Sequence, residues 1–144
     1  GVDGNLKFIL ADLFFNKFQP LSNFSHLDIK YIAKNIKYLD GTVPKTRYFR
    51  FGGTDLRGYN DKTFEYPKYS IISCGLNYTP SSNLQFEVFS DLGSSSLYFN
   101  SKNWFGYGIG LSQINNDYII KIEYALSDYS FENGKVHITW SSRI

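Results

Sequence analysis

Only a few side chains in this sequence have the types and spacing to do chemistry. Glu87 and Asp91 lie four apart in QFEVFSDLG, so in an extended chain they share a face with Phe89 between them. Two carboxylates on one surface could be imagined as a glycosidase pair, but spacing alone is weak support, and an arginine beside them would keep both ionised. His26 and His137 have no companion at metal-site or triad spacing, and both read as polar residues of a wall or surface. Cys74 is the single cysteine, which excludes an internal disulfide and the metal sites built from paired cysteines; it reads as a small hydrophobe on an apolar face. The Lys and Tyr residues between positions 30 and 38 suggest a nucleic-acid patch, and a formal charge of only +2 argues against one. No residue is assigned a catalytic role, no metal, cofactor or nucleic acid is expected, and the chain reads as non-enzymatic.

One stretch is committed to a charge. FRFGGTDLRGYND, residues 49 to 61, sets Gly52, Gly53 and Gly58 around Arg57. Glycines permit a tight loop packed against a wall, and an arginine held in a restricted space needs an acidic partner, because an unpaired buried charge is costly. The polar face of the strand around Phe89 offers Glu87 and Asp91. Guanidinium and carboxylate form a charge-assisted pair that can be bidentate.

The elements that position these groups are strands. Aromatics make up 19% of the residues, with Asn, Ser and Gly filling the gaps, a mixture that favours strands and turns. Ile72, Cys74, Leu76 and Tyr78 alternate with Ser73, Gly75, Asn77 and Thr79. The same period runs through Leu27 to Ala33, Leu84 to Phe89, Trp104 to Ser112, Tyr118 to Leu126 and Lys135 to Trp140, while Asn5 to Phe15 is apolar on both faces. About seven strands result, joined by short turns at 79–83 and 115–117 on one side and by longer connections, above all loop 39–67, on the other. An antiparallel meander is the economical connection, and residues 1–144 read as a single domain. The chain has no methionine and starts at Gly1, so it reads as a processed product or an excised piece.

Such strands suit either a soluble or surface-attached β-sandwich that binds or adheres through its loops, or a transmembrane β-barrel with its apolar face in lipid. Three features lean toward the barrel: ionisable residues and glycines on the inward faces, as at Lys121 and Glu123; aromatics near strand ends (Tyr69, Tyr78, Trp104, Tyr118, Trp140), where interfacial girdles would lie; and the short-turn, long-loop asymmetry.

The sequence also resembles the BamA-type superfamily of bacterial outer-membrane barrels, the bacterial surface antigen family. That family carries a Gly-rich loop ending in Val/Leu-Arg-Gly-Tyr/Phe and, on the second strand afterwards, aromatic-x-Asp-x-Gly. Here Phe49-Arg50-Phe51-Gly52-Gly53-Thr54-Asp55-Leu56-Arg57-Gly58-Tyr59 is followed by Phe89-Ser90-Asp91-Leu92-Gly93. In the family five strands follow the motif, as five do here, and Gly106 to Leu111 with Ile119 to Tyr124 looks like its penultimate hairpin. The resemblance implies an antiparallel barrel of about sixteen strands, of which this chain holds seven to eight, completed as a fragment by upstream strands or as a dimer by a second copy. It implies that Arg57 reaches down the lumen to Asp91, with Glu87 as a helper and Gly52, Gly53, Gly58, Tyr59, Phe89 and Gly93 as the rest of a loop lock. It further implies a bacterial outer-membrane location in contact with lipid, a part in protein insertion or translocation, and upstream periplasmic domains, accessory proteins or a patatin-like exported enzyme.

Overall fold

The computed structural model describes residues 7–39, 41–97, 99, 102–127 and 133–142. Its strands are β1 (Phe8–Ser22), β2 (Ser25–Tyr38), β3 (Phe49–Phe51), β4 (Phe64–Tyr66), β5 (Lys68–Ser81), β6 (Leu84–Ser94), β7 (Asn103–Ile114), β8 (Tyr118–Ser127) and β9 (Lys135–Ser142). Seven of them form one antiparallel sheet in the order β1-β2-β5-β6-β7-β8-β9. Every neighbour in that sheet is the next long strand of the chain, the meander expected from tight turns and alternating residues. Among the described residues β1 and β9 are edges, paired on one side only. Antiparallel pairing at each step makes β1 and β9 run in the same direction.

Each strand outruns its alternating core. The first shows this most: β1 begins at Phe8 and continues past Phe15 to Ser22, and the predicted start at Asn5 lies outside the described residues. Pro20 falls inside β1, where the register to β2 shifts between Pro20 and Ser22. Proline lacks an N–H for the ladder, and an edge strand tolerates that loss.

The register fixes two faces. On one, Leu76 pairs with Val88 and Val88 with Ile109, while Tyr78 pairs with Phe86. This open face is apolar and exposed: Val88 is 60% accessible, Ile109 61% and Ile138 71%. On the other, rows such as Asp28–Gly75–Phe89–Gly108–Ala125 set small and charged residues around the buried ring of Phe89, and the connection between β2 and β5 lies across them.

That connection is not a plain loop. A single 3-10 turn at Lys45–Arg47 leads into a hairpin of β3 and β4, in which Phe49 pairs with Tyr66 and Phe51 with Phe64. Arg50 and Glu65, directly opposite on its exposed side, form an ion pair. Strands of three residues carry too little alternation to register as strands in the sequence.

The hairpin is seated by aromatic packing. Phe51 stacks on Tyr69 at 4.2 Å between ring centroids and meets Trp104 edge-on at 5.8 Å, while Phe64 lies 4.3 Å from Trp104. Phe51, Tyr69 and Trp104 form a buried cluster with Leu56 and Ile71, and Phe64 packs against it half-buried. Tyr69 and Trp104 therefore do not join the predicted girdle; their place in the strand alternation puts both on the covered face, where they receive the hairpin.

Candidate functional site

Beyond the hairpin the loop tip, Leu56 to Tyr59, crosses β6, β7 and β8, and each of its residues meets a specific feature of the sheet. Leu56 is fully buried, and its methyl groups occupy the space that Gly93 leaves free: a Cβ there would come within 2.9 Å of Leu56 Cδ2. Gly58 adopts φ +93°, a left-handed conformation that side chains rarely take, and a Cβ would lie 2.5 Å from the Leu126 carbonyl oxygen. The Tyr59 hydroxyl donates to the Phe105 carbonyl at 3.2 Å. Gly52 and Gly53 also have positive φ and shape the turn entering the tip, where the Asp55 N–H donates to the Gly52 carbonyl at 3.1 Å.

Arg57 is the centre of the site. Its Nε donates to Asp91 Oδ2 at 2.8 Å and its Nη2 to Asp91 Oδ1 at 2.6 Å, the two-pronged geometry that suits guanidinium and carboxylate. The Arg57 backbone N–H donates to the same Oδ2 at 3.0 Å, so Asp91 holds both the side chain and the main chain of the tip. Nη1 donates to Glu87 Oε1 at 3.1 Å and to Glu123 Oε1 at 2.9 Å. Beneath the guanidinium lies the ring of Phe89, 3.5 Å from Cζ to the centroid, a cation–π contact in a desolvated place. Asp91 is 1% accessible and the Arg57 side chain 11%.

The electrostatics follow from that enclosure. Burial works against a charged Arg57, but the hydrogen bonds and charge of Asp91, with Glu123 and Glu87, outweigh it and raise the pKa above the ordinary arginine value. A second cation completes the cluster: Lys121 Nζ lies 2.6 Å from Glu87 Oε2 and 2.9 Å from Glu123 Oε1. The cluster opens onto a recess of about 320 Å³, also bordered by Asp28 and Lys30.

The structure thus brings Arg57, Asp91, Glu87 and Phe89 together and sets Gly52, Gly53, Gly58, Tyr59 and Gly93 around them. Glu123 and Lys121, marked in the sequence only as inward ionisable groups, belong to the same cluster. The signal for Glu123 is the glycine column of β7: Glu87, Gly110 and Glu123 share one row of the sheet, so no side chain separates the two carboxylates, whereas Lys121 lies opposite Ser112. Gly106 was not singled out for contact with the loop, yet a Cβ there would collide with the Arg57 carbonyl oxygen.

Glu87 and Asp91 are not arranged as an acid and a base with space for substrate between them, because Asp91 accepts three N–H bonds from one residue. Among the described residues no group of three or more His, Cys, Asp or Glu is placed to hold a metal ion. His26 lies 3.4 Å from Asp28, to which Asn77 also donates at 3.0 Å, at the border of the same recess. His137 is opposite Glu123 in register, and its Nε2 is buried without a hydrogen-bond partner among the described residues. What the main cluster does chemically is immobilise a loop with charge.

No protein-family model matches this chain, and no curated protein matches its sequence.

Proposed function

We propose that the chain is part of a BamA-type β-barrel of the bacterial outer membrane, acting in protein insertion or translocation, with loop 39–67 folded into the lumen and locked there by Arg57. The observation that carries this reading is the polarity of the sheet. Its charged cluster lies under the loop, while its open face exposes Leu76, Phe86, Val88, Ile109, Ile122, Val136 and Ile138. A continuous apolar surface of that extent is unusual on a soluble monomer and fits a lipid-facing wall. The strand lengths, from 8 to 15 residues, bracket what a tilted strand needs to cross the hydrocarbon layer. The described turns at one end of the sheet are short, and the loop that carries Arg57 emerges at the other.

A sheet in lipid cannot leave its edges unpaired, so the barrel is closed by strands beyond these seven. Because β1 and β9 point the same way, all-antiparallel closure within one polypeptide takes an odd number of further strands. Two copies of these seven strands alone, both oriented alike in the membrane, would instead meet in two parallel seams. Upstream periplasmic domains or a patatin-like enzyme would set what the barrel inserts, translocates or exports.

Envelope fractionation of the intact protein, followed by gel migration with and without heating, tests the reading. Recovery in the outer membrane with a heat-dependent shift supports it, and an unheated band near twice the monomer assigns the closing strands to a second copy. A water-soluble monomer whose migration does not change with heating would replace it with the sandwich reading, in which the open face meets a protein core.

A further inference from the structure

Arg57 alone does not balance its own site. Asp91 takes Nε and Nη2, which leaves Nη1 to be shared by Glu87 and Glu123. Two ionised glutamates converging on one nitrogen repel each other, and the repulsion is strong where water is largely excluded. Lys121 lies where that repulsion is greatest, with Nζ in contact with one oxygen of each glutamate. Three carboxylates against two cations leave the cluster one net negative charge; without Lys121 it would carry two.

We propose that Lys121 is a positioning residue for the loop: by neutralising the repulsion between Glu87 and Glu123 it holds both carboxylates where they clamp Nη1 of Arg57. Seating of the tip then depends on the charge balance of five side chains on the loop, β6 and β8, and not on the Arg57–Asp91 pair alone. The inference rests on the reading of loop 39–67 as locked in place. Lys30 borders the same recess from β2 but makes no ion pair with Glu87 or Glu123 among the described residues, so it is not already a substitute. Gly110 contributes the open floor, since a Cβ there would stand 3.3 Å from Glu123 Cγ and 3.4 Å from Glu87 Oε2.

The test is charge compensation in the intact protein, read by hydrogen exchange over residues 53–61, where the Arg57 amide is bonded to Asp91. Lys121→Met keeps an unbranched apolar stem, one atom shorter, while removing the charge, and should speed exchange there by about tenfold, the scale of coupling within a shared ionic network. Lys121→Arg should stay near wild type. Adding Glu123→Gln to Lys121→Met restores the net charge and should bring exchange back toward wild type, because the glutamine oxygen can still accept from Nη1. An unchanged Lys121→Met, or a double variant at least as fast as Lys121→Met, overturns the proposal and leaves Lys121 a packing residue. Should Lys121→Met fail to accumulate, recovery of folded protein in the double variant becomes the readout, and continued failure to accumulate counts against the proposal. Fractionation reports the compartment separately, so an error in the barrel assignment would not be mistaken for an error about Lys121.

Discussion

Glu87 of β6 and Glu123 of β8 occupy one row of the sheet with only Gly110 of β7 between them, and Nη1 of Arg57 bonds to both, at 3.1 and 2.9 Å. Asp91 lies four residues beyond Glu87 on the same face and takes the other edge of the guanidinium. The loop is therefore tied to two strands at once, and its arginine joins elements that are not neighbours in the sheet.

Arg57→Ala and Asp91→Ala should each loosen the tip severely. Removing one member of a buried ion pair strands the other charge, at a cost of about 3 to 5 kcal/mol. The double variant should be little worse than either single one, since the charge left behind is then gone. Thermal unfolding or protease sensitivity of the tip, analysed as a double-mutant cycle, checks this; fully additive losses would remove the lock.

Six of the seven long strands are legible because residues alternate over six or more positions, as Ile72 to Tyr78 and its counterparts do, whereas β1 is apolar on both faces and lacks that signal. The pairing of Arg57 with Asp91 could be anticipated because a committed cation in a glycine-rich loop needs an acid on a facing wall. Glu123 was harder to place, because its part depends on the register across Gly110, and registers are set by pairing along whole strands. A girdle place for Trp104 and Tyr69 follows from their position at strand ends alone, although the alternation sets them on the polar face with Gly106 and Ser73. Only the hairpin of β3 and β4, too short to read in advance, reveals what they pack against.

Gly106→Val should displace the tip, because the new side chain would overlap the Arg57 carbonyl oxygen, a backbone atom with little freedom to move. Overpacking of this kind costs about 1 to 3 kcal/mol. Gly110→Ala, whose Cβ meets only side-chain atoms at 3.3 to 3.5 Å, should be milder. Comparing the melting temperatures of the two variants checks the order, and a Gly110→Ala loss as large as that of Gly106→Val would mean that the loop does not lie on β7 as described.

Trp104→Ala should release the hairpin more than the tip. Trp104 packs against Phe51, Phe64 and Tyr66, whereas Arg57 is held by charge deeper on the sheet. Truncation of a buried tryptophan costs about 3 to 5 kcal/mol. Hydrogen exchange should rise in Phe49–Phe51 and Phe64–Tyr66 while the Arg57 amide keeps most of its protection. Equal loss across the loop would show instead that the hairpin and tip release as one unit.

The central claim is that the open face meets lipid, and the most direct measurement is spin-label accessibility in outer-membrane vesicles. With Cys74 replaced by Ser, a single cysteine at Ile109 on the open face is compared with one at Thr139 on the opposite face. At 109 the label should collide more often with lipid-soluble oxygen than with a water-soluble nickel chelate, and at 139 that preference should reverse. A label at 109 that favours the nickel chelate, or that is shielded from both reagents by packed protein, would contradict the barrel.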